Sequence, residues 1–264
     1  MKKNKKLTLM NLFNRAVYEN VQYKNGITDI GDYKYYYSKE YGKRIGNYLI
    51  NNNVDSKEIE KGSLCSTSSS ARLCTNYFYE DDVVFEKPIH NGVSNAATKM
   101  DAVKEKEKIF YECKCQEIVY GEHERFTETY KKSKLFQEFI DIKKIEVKPR
   151  KNKTGLCIFD LKDLGIDYHG KYYDINFNVK QLICHLIAIA HDYDDKDRKT
   201  LQYIIFRPKT DNAEILDLYD KLDKQFKAIQ NSEHIKRFCS KEHHNIILKM
   251  DYVYIDEVVE HFGK

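Results

Sequence analysis

The segment at residues 100–117 constrains the fold of this chain most strongly, because two short apolar stretches flank a turn of alternating lysine and glutamate. The second stretch, 109–115, reads Ile-Phe-Tyr-Glu-Cys-Lys-Cys. In a β-strand alternate side chains lie on opposite faces, so Glu112 and Lys114 share one face. A hairpin here brings Asp101 toward Glu112. The sequence therefore predicts two carboxylates and one lysine within a small volume.

Such a cluster of charges has a chemical consequence. Like charges held together cost free energy unless a counter-charge is present, and a hard divalent cation such as Mg²⁺ takes carboxylate and carbonyl oxygens together with waters. A metal held this way polarises a phosphoryl oxygen and lowers the pKa of bound water, while a lysine orients that water or stabilises developing negative charge. Phosphodiester hydrolysis is the reaction that this combination favours.

The order and spacing of Asp101 and the Glu112-x-Lys114 motif resemble the signature of the PD-(D/E)xK nuclease superfamily, the fold of many restriction endonucleases. One departure is that Met100 stands where the family's proline would precede the aspartate. The resemblance implies cleavage of double-stranded DNA with Mg²⁺, for which Mn²⁺ is the expected substitute. It also implies that Asp101, Glu112 and the Cys113 carbonyl bind the metal, and that Lys114 positions the attacking water.

Two further residues are candidates for the catalytic site. Glu86 lies in an apolar segment, 83–89, that predicts a strand ended by Pro88. Members of the superfamily often add an acidic residue from an upstream element, although a solvated strand glutamate is an open alternative. Gln181 lies on the apolar helix predicted over 174–191, and several branches of the superfamily place a glutamine there. A satisfied core glutamine is its alternative.

A basic segment follows the predicted site motif. Six cationic residues fall between positions 143 and 153, and such a cluster can contact the phosphate backbone of a nucleic acid. A solvated loop is the competing interpretation, because charge runs are usually exposed. The candidates for nucleic-acid binding are Lys143, Lys144, Lys148, Arg150 and Lys151.

The order of predicted elements gives an α/β fold class. A helix ending near Phe78, three strands around the motif, a buried helix and a strand at 201–206 match the αβββαβ core of the restriction-endonuclease-like fold, a mixed sheet flanked by helices. We predict an N-terminal helical extension over 1–63, the core over 64–206, and a C-terminal helix and strand over 207–264 that complete the same domain. A helix is also predicted from Gly121 to Ile140.

Composition sets broad limits on the class of protein. The chain has 264 residues and 41% hydrophobic residues, enough for a sizeable core. Its net charge of +4 gives little overall attraction to nucleic acid, so a DNA-binding surface has to come from local clustering. The seven cysteines, the lack of a secretory signal and the lack of a long apolar segment predict a cytoplasmic protein with reduced thiols and no membrane span.

Other motifs compete weakly with this interpretation. An acid followed two residues later by lysine recurs often in a chain that is 33% charged, and Asp160-Leu161-Lys162 is the strongest rival because an apolar strand precedes it. It lacks an aspartate on a paired strand. A loose cluster of Cys239, His243 and His244 is a weaker candidate for a zinc site. No Walker loop, Gly-x-Ser-x-Gly or Gly-x-Gly-x-x-Gly motif occurs.

Three functional hypotheses follow from the sequence. The first is a Mg²⁺-dependent DNA endonuclease from restriction or phage defence, for which double-strand cutting favours a homodimer. The second is a catalytically inactive nuclease-like module that binds DNA or a protein. The third is a structural protein in which Glu112 and Lys114 form an ordinary surface ion pair without a metal.

Overall fold

A five-stranded mixed sheet forms the centre of the protein. The computed structural model describes residues 2–31, 33–55, 63–93, 97–120, 126–140, 146–150, 153–157, 161–168 and 176–263. The strands in the order β3-β4-β5-β8-β9 make up the sheet, in which β3, β4 and β5 are antiparallel neighbours and β8 and β9 run parallel to β5. Their bounds are Val84–His90 (β3), Ala97–Lys104 (β4), Ile109–Lys114 (β5), Lys199–Arg207 (β8) and Ile246–Tyr254 (β9).

Two small two-stranded sheets lie apart from the central sheet. Strands β1 and β2 are two residues each, and β6 pairs antiparallel with β7. Their bounds are Thr28–Asp29 (β1), Tyr35–Tyr36 (β2), Glu146–Arg150 (β6) and Lys153–Cys157 (β7).

Helices cover both faces of the central sheet. The described α-helices are Lys2–Asn20 (α1), Lys39–Asn51 (α2), Ser70–Tyr77 (α3), Glu117–Tyr120 (α4), Val179–Asp192 (α5), Ala213–Asn231 (α6) and Glu233–Cys239 (α7). Phe78, which ends α3, packs on Tyr111 of β5 with 4.6 Å between ring centroids. On the opposite face, Gln181 of α5 bonds to Glu112 of β5. The predicted α/β class with a mixed sheet flanked by helices is therefore confirmed.

Helix α5 connects β5 to its parallel neighbour β8. Parallel strands need a crossover of this kind, since no tight turn can join them. The side chain of Asn178 caps the helix by accepting a hydrogen bond from the Gln181 amide at 3.0 Å. Ten of the helix residues are buried, including all nine from Leu182 to Ala190. Helix α5 is thus covered on all sides over this stretch, and Gln181 and His185 are its polar side chains beside Glu112 of β5.

Strand β3 continues through Pro88, whereas the sequence predicted that proline would end it. Pro88 pairs with Lys99, and the strand extends to His90. β3 is the edge of the sheet, where a residue without a backbone N–H leaves no partner unsatisfied on its outer side. Glu86, in the middle of this strand, has φ of +48°, in the left-handed region.

The helix predicted from Gly121 to Ile140 is wrong over its described part. Residues 121–125 lie outside the described residues, and two short 3-10 turns, Glu128–Lys132 and Phe136–Glu138, replace a continuous helix. Phe126, Tyr130 and Phe136 pack on one another with ring centroids 4.6–5.2 Å apart. The apolar spacing that predicted a helix instead builds this aromatic cluster.

The N-terminal region packs against the rest of the chain through polar and aromatic contacts. Asn20, at the end of α1, exchanges two hydrogen bonds with the Lys209 backbone, at 2.9 and 2.8 Å. Tyr37 and Tyr41 stack with 4.0 Å between ring centroids, and both are buried. These two tyrosines therefore contribute to the core. Within the described residues, we find no helix with the length and apolar character needed to cross a membrane.

Candidate active site

Three acidic residues occupy one level across three neighbouring strands. The register pairs Ala102 of β4 with both Phe85 of β3 and Tyr111 of β5. One residue further along each strand come Glu86, Asp101 and Glu112, which lie outside the paired residues of this register. The charge of Glu112 acts on Asp101 and that of Glu86 acts on Glu112, so the three carboxylates lie near one another. The sheet therefore gathers acidic groups from three segments of the chain.

Asp101 lies where β4 and β5 separate. The paired residues of these strands end at Ala102 and Tyr111, and the Asp101 carboxylate takes the place of the next backbone acceptor. Its Oδ2 accepts a hydrogen bond from the Cys113 amide at 2.6 Å. Burial and the neighbouring Glu112 carboxylate raise the pKa of Asp101 to about 8. Asp101 is therefore a carboxyl group that holds a proton near neutral pH when no cation is present.

Glu112 is the most heavily contacted group of the site. Its side chain is 2% exposed, and its Oε1 accepts hydrogen bonds from Lys114 Nζ and, at 2.7 Å, from Gln181 Nε2. Its Oε2 lies 3.7 Å from His185 Nε2 and has no hydrogen-bond partner among the residues that the structure describes. Burial raises the pKa of Glu112. One oxygen is therefore fixed in place and the other has unused capacity to accept.

Lys114 and His185 respond in opposite ways to the same surroundings. Burial disfavours the charged form of Lys114, but the carboxylates of Glu112, Asp101 and Glu117 outweigh it and raise the pKa of the ammonium. Burial and the nearby Lys114 charge lower the pKa of His185 to about 3. At neutral pH the site thus contains one permanent cation and one neutral imidazole.

Glu117, just beyond β5, adds a third carboxylate to the group around Lys114. Its two oxygens accept hydrogen bonds from the Ser70 hydroxyl at 2.6 Å and from the Cys115 amide at 2.9 Å. Its charge acts on both Asp101 and Lys114. These contacts place Glu117 beside the site.

A cavity of about 440 Å³ opens at the end of β5 and the start of α5. Lys114, Glu117, Gln181 and His185 line it, as does Tyr203 of β8. Tyr203 was not a candidate from the sequence, because a tyrosine inside an apolar strand carries no signal of a site. Only the pairing of β5 with β8, which sets Tyr203 beside Glu112, brings it there.

The donor groups fit a magnesium ion better than a metal held by nitrogen or sulfur. Over the described ranges, no three His, Cys, Asp or Glu side chains are grouped closely enough to hold a metal ion by themselves. The protein ligands would be Asp101, Glu112 and the Cys113 carbonyl, with waters completing the shell, as Mg²⁺ prefers. The unpartnered Glu112 Oε2 and the excess of carboxylates over lysine are consistent with a bound cation.

The other predicted site residues divide into two groups. Gln181 meets Glu112 directly, and the charge of Glu86 raises the pKa of Glu112, so both lie close to the centre. Lys148 and Arg150 are in β6, which pairs only with β7, and Lys143, Lys144 and Lys151 lie outside the described residues.

The competing sites do not assemble in the described part of the chain. His244 Nδ1 lies 2.8 Å from the Phe238 carbonyl oxygen, and His243 lies beside Asp194, so the two histidines have different partners. Cys239 forms no metal-binding group with them. Asp160 falls outside the described residues, and Lys162 lies in the short 3-10 turn Leu161–Leu164. Cys113 and Cys115 are free thiols.

The site thus draws Asp101 from β4, Glu112 and Lys114 from β5, and Gln181 and His185 from α5. Its chemistry has to be argued from these groups themselves. Comparison of the chain with protein-family models, with curated proteins and with solved structures finds no match.

Proposed function

We propose that the protein is a Mg²⁺-dependent endonuclease that hydrolyses phosphodiester bonds of double-stranded DNA. The observation that carries the proposal is the meeting of Asp101, Glu112 and Lys114 at one end of the sheet. Gln181 supports it from α5 by bonding to Glu112 at 2.7 Å. Two carboxylates, a backbone carbonyl and a lysine are the groups that metal-assisted phosphodiester hydrolysis requires.

The topology around these residues also supports a PD-(D/E)xK type of nuclease. Helix α3, strands β3 to β5, helix α5 and strand β8 occur in the αβββαβ order of the restriction-endonuclease-like fold, with α4, β6 and β7 inserted between β5 and α5. β5 and β8 are adjacent and parallel, so the motif strand lies inside the sheet. The proposal therefore includes this specific fold as well as the reaction.

In this proposal each residue has a separate task. Asp101, Glu112 and the Cys113 carbonyl would hold the Mg²⁺, and the chemistry that the ion would supply when bound is polarisation of the phosphoryl group and a lower pKa of bound water. Gln181 fixes one oxygen of Glu112 and leaves the other available. Lys114 stays protonated among the carboxylates, so that its ammonium can orient the attacking water and stabilise negative charge that develops on the phosphate.

Plasmid cleavage by Lys114→Ala tests the proposal. The variant is expected to lose about 100- to 1000-fold in the Mg²⁺-dependent rate, the scale for removing one group that stabilises developing charge. Lys106→Gln is the matched control, because Lys106 lies in the turn at the far end of β5, in an exposed pair with Asp82. Circular dichroism checks that both variants are folded. Undiminished cleavage by Lys114→Ala ends the assignment.

A binding module without cleavage is the second candidate, and one contact favours it. Lys114 and Glu112 pair directly, so part of the charge at the site is already compensated within the chain. Such a module would bind duplex DNA and leave it intact with either Mg²⁺ or Mn²⁺. Calorimetric titration with Mn²⁺ separates the two, since the endonuclease requires a saturable site that Asp101→Asn abolishes.

A further inference from the structure

The two edge strands of the central sheet differ in their ability to accept a further strand. β3, at one edge, contains Pro88, which lacks a backbone N–H, and Glu86, which has a positive φ. β9, at the other edge, has nine residues with no proline, glycine or positive φ among them. Its inner side pairs with β8 from end to end, and no strand of the described residues pairs with its outer side. A regular edge of this kind is a template for another strand.

A groove of about 260 Å³ lies between β9 and α6. Lys249, Met250 and Asp251, the middle of β9, form one wall, and both charged residues are exposed. Gln230 of α6 donates a hydrogen bond to the Leu248 carbonyl at 2.8 Å. A carbonyl oxygen has two lone pairs, so this contact leaves it able to accept a second hydrogen bond. The middle of the strand is therefore open to a partner.

The charges of β9 are complementary to those of a second β9. Lys249 and Asp251 flank Met250 and share one face of the sheet. Neither forms an ion pair with another described residue, and Asp251 accepts a hydrogen bond from Gln202 at 2.6 Å. When two copies of a strand pair antiparallel about a twofold axis, the residue at the axis opposes itself and its two neighbours oppose each other. With Met250 at the axis, Lys249 of each copy opposes Asp251 of the other.

Moving the axis by one residue removes this match. With Lys249 at the axis two ammonium groups oppose each other, and with Asp251 at the axis two carboxylates do. Opposite charges stabilise a directly opposed strand pair, whereas like charges destabilise it. The register centred on Met250 also opposes apolar residues along the rest of the strand: Leu248 with Tyr252, Ile247 with Val253 and Ile246 with Tyr254.

We propose that β9 is a dimerisation surface whose partner is β9 of a second copy of this chain, paired antiparallel with Met250 at the twofold axis. The two central sheets then join into one continuous sheet. Lys249 and Asp251 set the register and select a second copy as the partner, because their order along the strand is complementary to itself. The inference does not rest on the proposed hydrolysis, since none of these residues belongs to the centre formed by Asp101, Glu112 and Lys114.

Sedimentation equilibrium over a range of protein concentrations tests the pairing. Lys249→Asp sets like charges opposite each other at both symmetry-related positions, and so does Asp251→Lys. We expect each variant to weaken dimerisation about tenfold, since two pairs of opposite charge become two pairs of like charge. Lys43→Asp is the matched control, because Lys43 is exposed in α2, where it pairs with Glu40. It changes the net charge equally and should dimerise as the wild-type protein does.

Restoring the complementary charges should restore the dimer. The double variant Lys249→Asp/Asp251→Lys exchanges the two charges and should dimerise as strongly as the wild-type protein. An equimolar mixture of the two single variants should form a heterodimer, because every acid of one copy then opposes a base of the other. Mixing cannot repair a misfolded strand, so the mixture separates loss of pairing from loss of folding, which circular dichroism also checks.

Three results would each overturn the proposal. A wild-type protein that stays monomeric leaves the edge of β9 to a different chain, and single variants that dimerise like the wild-type protein show that the dimer uses another surface. A mixture of the single variants that forms no heterodimer is the third. The pairing and the hydrolysis fail separately: cleavage by a monomeric protein overturns the pairing alone. A dimer that follows the charge exchange but does not cleave DNA with Mg²⁺ overturns the hydrolysis alone.

Discussion

Two clusters of buried charged residues in this protein differ in whether their positive and negative groups are equal in number. Around Arg72 of α3, one cation meets one anion: its Nη1 lies 2.6 Å from Glu260 Oε2, and its Nη2 donates to the Thr67 carbonyl at 2.8 Å. Tyr41 donates its hydroxyl to Glu260 as well, and the guanidinium lies over the Tyr37 ring. This cluster neutralises itself and has no need of an external ion.

The cluster around Glu112 is unbalanced. Asp101, Glu112 and Glu117 act on the single ammonium of Lys114, and the pKa values of Asp101 and Glu112 are raised. Burial of charge is common to both clusters, so burial alone does not distinguish a site from a structural ion pair. An excess of acidic over basic residues does distinguish a site, because a bound cation can compensate the excess negative charge.

Removing Arg72 should have the largest effect on stability. Arg72→Met leaves Glu260 buried without its cation, and we expect the free energy of unfolding to fall by about 3–5 kcal/mol, as for other broken buried pairs. Urea denaturation measures it. Arg72→Met combined with Glu260→Gln should recover part of the loss. A loss below about 1 kcal/mol for the single variant would show that the pair is not the structural cluster described above.

Asp101→Asn should raise the free energy of unfolding, whereas Arg72→Met should lower it. The pKa of Asp101 is about 8 in the folded protein and about 3.9 in an unfolded chain, so the folded state binds more protons between these values. Wild-type stability in EDTA should therefore fall as the pH rises from 4 to 8. The variant lacks this dependence and should be about 2 kcal/mol more stable at pH 8, after allowance for the partial exposure of residue 101.

Urea denaturation across that pH range, with and without Mg²⁺, measures the effect of Asp101→Asn. Mg²⁺ should stabilise the wild-type protein and not the variant, since only the wild-type site retains both carboxylates. Equal pH dependence in the two proteins would show that the acidic cluster is not under electrostatic stress.

Gln181→Leu should have the smallest effect of the three on stability. It removes the hydrogen bond to Glu112 Oε1, at a cost of about 1 kcal/mol. We expect cleavage to fall about tenfold as Glu112 loses its fixed position. Gln116→Leu is the control: it removes a hydrogen bond of the same 2.7 Å length, to the Ser68 hydroxyl, and should lower stability without lowering cleavage. An equal loss of cleavage in both variants would contradict the positioning role of Gln181.

The sequence predicted those parts of the site that depend on local pattern. Glu112 and Lys114 are two residues apart on one strand, so alternation alone sets them on one face, and the short turn returns the chain to Asp101. Gln181 could be predicted because the apolar spacing of α5 showed which helix would be buried. In each case the interaction follows from a short-range pattern: alternation along a strand, a short turn, or the apolar spacing of a helix.

The parts that were missed depend on long-range packing. Arg72 and Glu260 are 188 positions apart, and neither has a local pattern that marks it as buried. Tyr203 enters the site only through the register of β8 beside β5. The segment 126–140 was misassigned because its aromatic residues have helical spacing but pack on one another across short turns.

The Arg72–Glu260 pair has a consequence for synthesis on the ribosome. Translation releases Arg72 long before Glu260, so a nascent chain carries a guanidinium whose carboxylate has not yet been made. Helix α3 therefore lacks this ion pair until the segment that carries Glu260 has been synthesised. The buried guanidinium of Arg72 is therefore neutralised only after residue 260 has been added to the chain.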